Sequence, residues 1–208
     1  MDDTGIWVVS FAETGGHMWL YHLDAATQEV LSRTSIPANW SNNVSGAGGW
    51  IWILGNTDDS DGAPPGTLFR VDPTSGDITD QFDPEPHDSF FLTVSGDRLW
   101  FFKSDGLYAL DGSTKSEVVG PLQLPAQCCA GLVADGTGGV WVINGTGSET
   151  TRKGVWHVSR EGIIDQHSPE SPGDGADGIA SAFDPSTTSV WIVHHETTVA
   201  RLAMTSVP

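Results

Sequence analysis

The chain has little positive charge. Across 208 residues there are only nine Lys and Arg against 27 Asp and Glu, a formal net charge of −18. A field of that sign repels phosphate backbones, so nucleic acid is excluded as a main partner, and anionic lipid is disfavoured on the same ground. The charge reads either as the solvated surface of a salt-rich or extracellular setting or as a surface for Ca²⁺ or another cation. Cysteine is scarce: Cys128 and Cys129 are the only two, and they are neighbours. Adjacent cysteines close a disulfide only through a strained ring, so three readings stay open: two small buried thiols, a vicinal disulfide, or metal ligands. No apolar run approaches the ~20 residues that span a bilayer, and residues 1–10 lack the basic and long apolar regions of a signal peptide. The composition points to an extracellular or periplasmic place, although no leader is visible. Helix-forming windows rich in Ala, Leu, Glu and Lys are absent as well, which argues against a helical protein.

Tryptophan, glycine and proline are abundant: 9 Trp, 25 Gly and 12 Pro. Short strands joined by tight turns use this mixture. The tryptophans also recur. IWVVS (6–10), IWILG (51–55), LWFFK (99–103), VWVIN (140–144) and VWIVH (190–194) share one pattern, and their tryptophans Trp7, Trp52, Trp100, Trp141 and Trp191 are spaced 45, 48, 41 and 50 residues apart. Each is followed by an alternating segment: LYHLD (20–24), LFRVD (68–72), LYALD (107–111), VWHVS (155–159) and VARLA (199–203). Alternation of this kind marks a half-buried strand. A turn and a polar strand come next (EVLSRTS, DITDQF, SEVVGPL, GIIDQH), and a Gly- or Asp-rich approach (VSGAGG, LTVSGD, LVADGTGG, SAFDPSTT) leads to the next tryptophan.

Four strands per unit of about 45 residues is the arithmetic of a propeller blade. The expectation is an all-β protein, a β-propeller of about five four-stranded blades or a segment of a larger one. It forms a single domain with repeats near 1–43, 44–90, 91–130, 131–178 and 179–208. The first repeat starts at its Trp strand and the last stops at its third strand. Three outcomes stay open: a five-bladed ring that closes imperfectly, a segment of a larger propeller in a parent chain, or an oligomer whose partner meets the unmatched terminal strands.

GGVWVING, TLFRVDPTSGDIT and SVWIVHHETTVARL resemble the repeats of bacterial propellers of the streptogramin-lyase-like, NHL and YVTN kinds. The resemblance covers essentially the whole chain. It implies the fold, and it leaves function open among lyases, lactonases, sensors and binding modules. In streptogramin lyases a glutamate follows the Trp segment and a metal is held between blades. The matching positions here are Ser10, Gly55, Lys103, Asn144 and His194. None is glutamate, so the Mg²⁺ site and histidine base of that family do not carry over, and His194 alone approaches the role.

In a propeller the loops from second to third strand and those between blades share one face, where ligands usually bind. Trp40, Asn42, His87, Asp88, Asn144, His194 and Glu196 belong to this face and are the candidate ligand-binding residues. His194, His195 and Glu196 also read simply as the polar close of a hairpin, since neighbouring strand residues point to opposite sides. A His/carboxylate set drawn from His87, Asp88, Asp174, Asp177 and His194 is the candidate shell for Zn²⁺, Mg²⁺ or another divalent metal. In TDDSDG the carboxylates Asp58, Asp59 and Asp61 are weak Ca²⁺ candidates, because Thr57 and Leu68 stand where a calcium loop wants its first and twelfth ligands. Trp40 beside Asn39, Asn42 and Asn43 reads either as a rim contact between blades or as a platform for a sugar or peptide. His22, Arg70, His157 and Arg201 share one third-strand slot, read as a polar position facing solvent or lying between blades. No nucleophile elbow, Walker loop or zinc spacing occurs. The leading expectation is a non-enzymatic module that binds a small molecule, a glycan or a protein. The alternatives are a metal-dependent lyase or hydrolase with His194 as base or ligand, and a structural repeat domain of a larger secreted protein.

Overall fold

In a computed structural model the described residues are 5–10, 17–38, 40–56, 66–82, 90–103, 105–124, 131–144, 154–168, 181–187, 189–194, 198–203 and 205–206. They form antiparallel sheets and no helix. The chain divides into two compact units, residues 1–92 and 93–208.

The first unit holds two sheets. β1 (Gly5–Ser10), β2 (Met18–Asp24) and β3 (Val30–Ile36) run in sequence order, as do β4 (Trp40–Ala47), β5 (Trp50–Asn56), β6 (Gly66–Val71) and β7 (Ile78–Phe82). β8 (Phe90–Ser95) opens the second unit's first sheet, with β9 (Arg98–Lys103), β10 (Gly106–Asp111) and β11 (Glu117–Leu122). Next come β12 (Gly131–Ala134), β13 (Val140–Asn144), β14 (Gly154–Val158) and β15 (Ile164–Ser168), then β16 (Ser181–Asp184), β17 (Ser189–His194) and β18 (Thr198–Ala203). Every strand expected from the tryptophan repeat is present. The Trp strands are β1, β5, β9, β13 and β17, and each is paired to the alternating segment that follows it.

Two details depart from the sequence expectation. The last repeat is expected to stop at its third strand, yet Thr205–Ser206 form β19, paired antiparallel to β15 through Gln166↔Ser206 and His167↔Thr205. The fourth sheet therefore has five strands. The second repeat also starts ahead of residue 44: β4 is already extended at Trp40, opposite Asn56.

One turn recurs between third and outer strands, and its chemistry explains it. The Asp24 carboxylate accepts from the Ala26 and Thr27 amides, Asp72 from Thr74, and Asp111 from Ser113 and Thr114, while Ser159 Oγ accepts from Glu161 and Ile163. Such side-chain turns hold the chain while it reverses. The closing residue must take positive φ, and Gly76 (77°) and Gly162 (80°) do so without cost. Gln28 (60°) and Lys115 (63°) occupy the same place with a side chain. Every one of these hairpins then carries a register shift one step after the shared slot: His22/Leu23, Arg70/Val71, Ala109/Leu110 and His157/Val158.

Apolar packing follows the period-2 pattern. In the first unit Trp7, Val9, Met18, Leu20 and Ile36 pack on Ile51, Ile53, Phe69 and Val71. In the second, Trp100, Leu107 and Ala109 pack on Val140, Val142 and Val158, and Trp141, Ile143 and Val155 pack on Val190, Ile192 and Leu202. Each interface sets a tryptophan of one sheet against the branched residues that flank the tryptophan of the next. Truncating one such tryptophan to alanine costs about 3–5 kcal/mol.

Candidate functional site

Each sheet has two chemically different ends. At one end lie the tight turns, whose polar side chains are spent on their own backbone. Asp24, Asp72 and Asp111 serve the outer hairpins as described, and Asp184 does the same before β17, accepting from the Ser186 amide and the Ser186 and Thr187 hydroxyls. These bonds hold the carboxyls of Asp24, Asp111 and Asp184 below the usual carboxylate range.

At the other end the Trp strands finish, and four of the candidate binding residues stand there. Trp40 opens β4 opposite Asn56. Asn42 is the extra residue of a bulge between Ser41, which faces Gly55, and Asn43, which faces Leu54. Asn144 ends β13 opposite Gly154, and His194 ends β17 opposite Thr198. Trp40 was expected in a loop. The Asn42 bulge, fixed by the Ser41 hydroxyl donating to the Leu54 carbonyl (2.7 Å), lets pairing continue up to it. His87, Asp88, Asp174, Asp177, Glu196, Asp58, Asp59 and Asp61 lie outside the described residues, as do His195, Cys128 and Cys129.

Lys103 is the described residue of this end with the fullest environment. Its ammonium sits 3.9 Å from the Tyr108 ring centroid and 5.7 Å from that of Phe101. The Tyr108 hydroxyl donates to Asp105 Oδ2 at 2.7 Å, and the Gln123 amide donates to the Asp105 carbonyl. Burial first, and Asp105 second, push the Tyr108 phenol up to about 12.

Sequence reasoning missed the most connected polar cluster among the described residues. His157, buried on β14, is held at both ring nitrogens, Nε2 to Asp135 Oδ2 at 3.0 Å and Nδ1 to Asp165 Oδ1 at 2.5 Å. Asp135 also accepts from the Ser95 hydroxyl (2.7 Å), the Thr137 amide (2.7 Å) and hydroxyl (2.6 Å), and the Gly139 amide (2.9 Å). Burial opposes ionisation of Asp135, but these bonds outweigh it and hold the carboxyl well below its usual range. Burial likewise opposes the charge on His157, and the two carboxylates outweigh it, raising the imidazole above its ordinary value. Gly139 is required by close approach: a Cβ there would lie 2.6 Å from Asp135 Oδ2 and from the Val158 carbonyl.

This arrangement excludes the chemistry that a Ser, a His and two Asp suggest. Both imidazole nitrogens are engaged by carboxylates, so neither points at an open position where it could act as a base or bind metal. The Ser95 hydroxyl serves Asp135 rather than His157. A carboxylate with five donors has no lone pair left for a ligand. The cluster is a strut linking Ser95 on β8, the β12–β13 turn, β14 and β15. Among the described residues no group of three or more His, Cys, Asp or Glu is placed to hold a metal ion.

The strut is one version of a repeated theme. The shared third-strand slot lies directly opposite the repeat tryptophan in every sheet: Trp7↔His22, Trp52↔Arg70, Trp100↔Ala109, Trp141↔His157 and Trp191↔Arg201. His22 stacks on Trp7 at 4.2 Å, His157 lies 4.5 Å from Trp141, and Arg201 lies over Trp191 at 5.7 Å. Arg70 covers Trp50 at 4.3 Å and reaches Asp80 on the outer strand. A cation or imidazole on an aromatic face is a favourable cross-strand pair, so this slot is architectural. The signal was in the sequence, as the residue two positions after the first apolar residue of each third strand.

No family model matches the chain, and no curated protein matches it. Solved structures do. The complex of KlAtg21 with the coiled-coil of AgAtg16 aligns with a TM-score of 0.66 at 12% identity, over 96% of this chain and 63% of that one. The computationally designed Ika8 protein aligns at 0.61 and 13% identity, over 94% and 57%, and the designed Ika4 protein at 0.52 and 14%, over 78% and 89%. The chain thus spans less than two thirds of the length of the first and of Ika8. At these identities the likeness concerns the fold alone, and a fold does not fix an activity.

Proposed function

We propose that the five sheets are blades of a β-propeller, either five in number or part of a larger ring, and that the protein is a non-enzymatic binding module. It works through the end of the blades where the Trp strands finish. One observation supports this reading above the others: among the described residues, the aspartates of the opposite end serve its turns, and the cluster around His157 is a saturated strut. At this end the first unit offers Trp40 and Asn42, an aromatic and an amide, and the second unit offers Asn144 and His194, an amide and an imidazole. Such groups suit a neutral, hydroxyl-rich ligand such as a glycan, whose rings stack on indole and whose hydroxyls pair with amides. The net charge of −18 disfavours an anionic one.

The test is a screen of neutral glycans by array and calorimetry, using the wild type beside Trp40→Ala and Asn144→Ala. Binding lost in either variant, with folding intact, supports the reading for the unit that carries it. Binding unchanged in both refutes the assignment of this end. Native mass spectra before and after EDTA decide between this reading and a metal-dependent lyase or hydrolase: a stoichiometric metal lost in His194→Ala would replace the binding module by the enzyme.

A further inference from the structure

The outermost strand of an antiparallel sheet turns a row of N–H and C=O groups outward, and such an edge accepts another extended segment. The outer strands differ in how well they can do so. β11 carries Pro121, which has no N–H to give an added strand. β15, with the sequence IDQHS, carries no proline. Among the described residues it is also the outer strand on which a further strand is already seated, namely β19.

β19 fills this edge only in part. β15 is five residues long and pairs with β14 at Ile164, Gln166, His167 and Ser168. β19 is two residues long and meets the middle of that run, at Gln166 and His167. A ladder so short holds mainly because its segment is tethered, which presents it to the edge at an effective concentration of about millimolar. A free segment that runs the length of β15 makes more main-chain bonds than β19 and can take its place.

The seat also has a chemistry. Opposite His167 and Gln166 stand Thr205 and Ser206, two small hydroxyl side chains. The surroundings are acidic. Asp165, although bound to His157, keeps its side chain 43% exposed, and Glu161 is exposed at the head of the same hairpin. The nearby cation Arg160 is paired with Asp97. The chain as a whole carries −18, which favours a ligand of positive charge.

We infer that the outer edge of β15 is a strand-addition site for an extended, cationic peptide of another protein, with small hydroxyl residues opposite Gln166 and His167, and that β19 occupies this site in cis. Main-chain bonds to the edge supply the affinity, and alternate side chains and charge supply the selectivity. β14, β15 and β19 all belong to the second unit, and the inference does not depend on the ligand-binding reading.

The experiment is fluorescence anisotropy with a labelled peptide KAMTSVK, in which the sequence of residues 203–207 stands between two lysines. It is compared with the same peptide N-methylated at its threonine and serine, and with EAMTSVE. The proteins are the wild type and Thr205→Pro/Ser206→Pro, in which β19 has lost its main-chain donors. The wild type is expected to bind KAMTSVK, and the proline variant to bind it about tenfold or more tightly, because the tethered competitor is gone. N-methylation should abolish binding to both proteins. EAMTSVE should bind more weakly, with a difference that shrinks as salt is added. Failure of both proteins to bind overturns the inference. Equal binding of the N-methylated peptide does so too, since it would mean attraction without strand pairing. Equal affinity of the two proteins would show that β19 does not hold the site, and equal binding of EAMTSVE would remove the cationic partner. If circular dichroism shows the proline variant unfolded, the wild type with the plain and N-methylated peptides decides.

Discussion

Asp135→Asn removes a charge and keeps the side-chain volume, which isolates what the strut contributes. The asparagine carbonyl can still accept from Ser95, Thr137 and Gly139, but its NH₂ now faces His157 Nε2. Two donors meet unless the imidazole gives up its proton. His157 then keeps one charged partner, Asp165, whose side chain is 43% exposed and correspondingly screened. Breaking a buried ion pair costs about 3–5 kcal/mol, and the retained acceptors reduce this to about 2–4 kcal/mol, since hydrogen bonds to charged groups contribute roughly 1.5–3 kcal/mol each. For a domain of this size that lowers Tm by about 5–15 °C. The loss also depends on pH. His157 is raised above its ordinary 6.5, so its contribution is complete below 6.5 and fades as pH climbs through the folded-state value. Asp135 is lowered below 3.8, so its contribution is complete above 3.8 and fades as pH falls through the folded-state value. Both act together between 3.8 and 6.5. Urea unfolding of wild type and variant at acidic and alkaline ends of the folded range measures the gap directly. It is expected to be widest inside that window and to narrow at alkaline pH. A gap under about 1 kcal/mol, the net worth of one ordinary hydrogen bond, or one that does not change with pH, would refute the account of the cluster as a charged strut.

Lys115→Gly and Gln28→Gly should each raise stability by about 0.5–1 kcal/mol, because both residues hold positive φ in a turn where Gly76 and Gly162 already serve; a lowered urea midpoint would count against this. Gly139→Ala should cost about 1–3 kcal/mol by overpacking, and the cost should couple with that of Asp135→Ala in a double-mutant cycle, whereas simple additivity would mean that the two do not touch. In an ultraviolet titration one of the two tyrosines should ionise near 12 and vanish in Tyr108→Phe. Completion of both below that region would show that Tyr108 is not buried against Asp105.

The strands were legible because the tryptophan recurs with an alternating partner segment, and period 2 is a local property of the chain. The turns were legible for a similar reason, since Asp at a strand end fixes the residues that follow it. The strut was not. His157 was visible as a polar slot, but Asp135 reaches it from a turn 22 residues upstream and Asp165 from the next strand. Nothing local announces that the two carboxylates meet one imidazole. Trp40 was placed in a loop because the Asn42 bulge interrupts the alternation that would have marked its strand. That Trp191 is 39% exposed while Trp52, Trp100 and Trp141 are buried was invisible too, because all five tryptophans sit in the same motif and only packing separates them.

The short β19 gives the fifth sheet an unusual standing. The chain leaves β15 at Ser168, builds β16, β17 and β18, and returns at Thr205 to pair beside the strand it left. The whole excursion is anchored at both ends to one strand. Its opening is therefore a local unfolding event gated by a two-residue ladder and by the Val190, Ile192 and Leu202 contacts on Trp141. In hydrogen exchange the amides of β16 to β18 should move as one unit with β19, and β15 should lose protection at its outer side only when that unit opens.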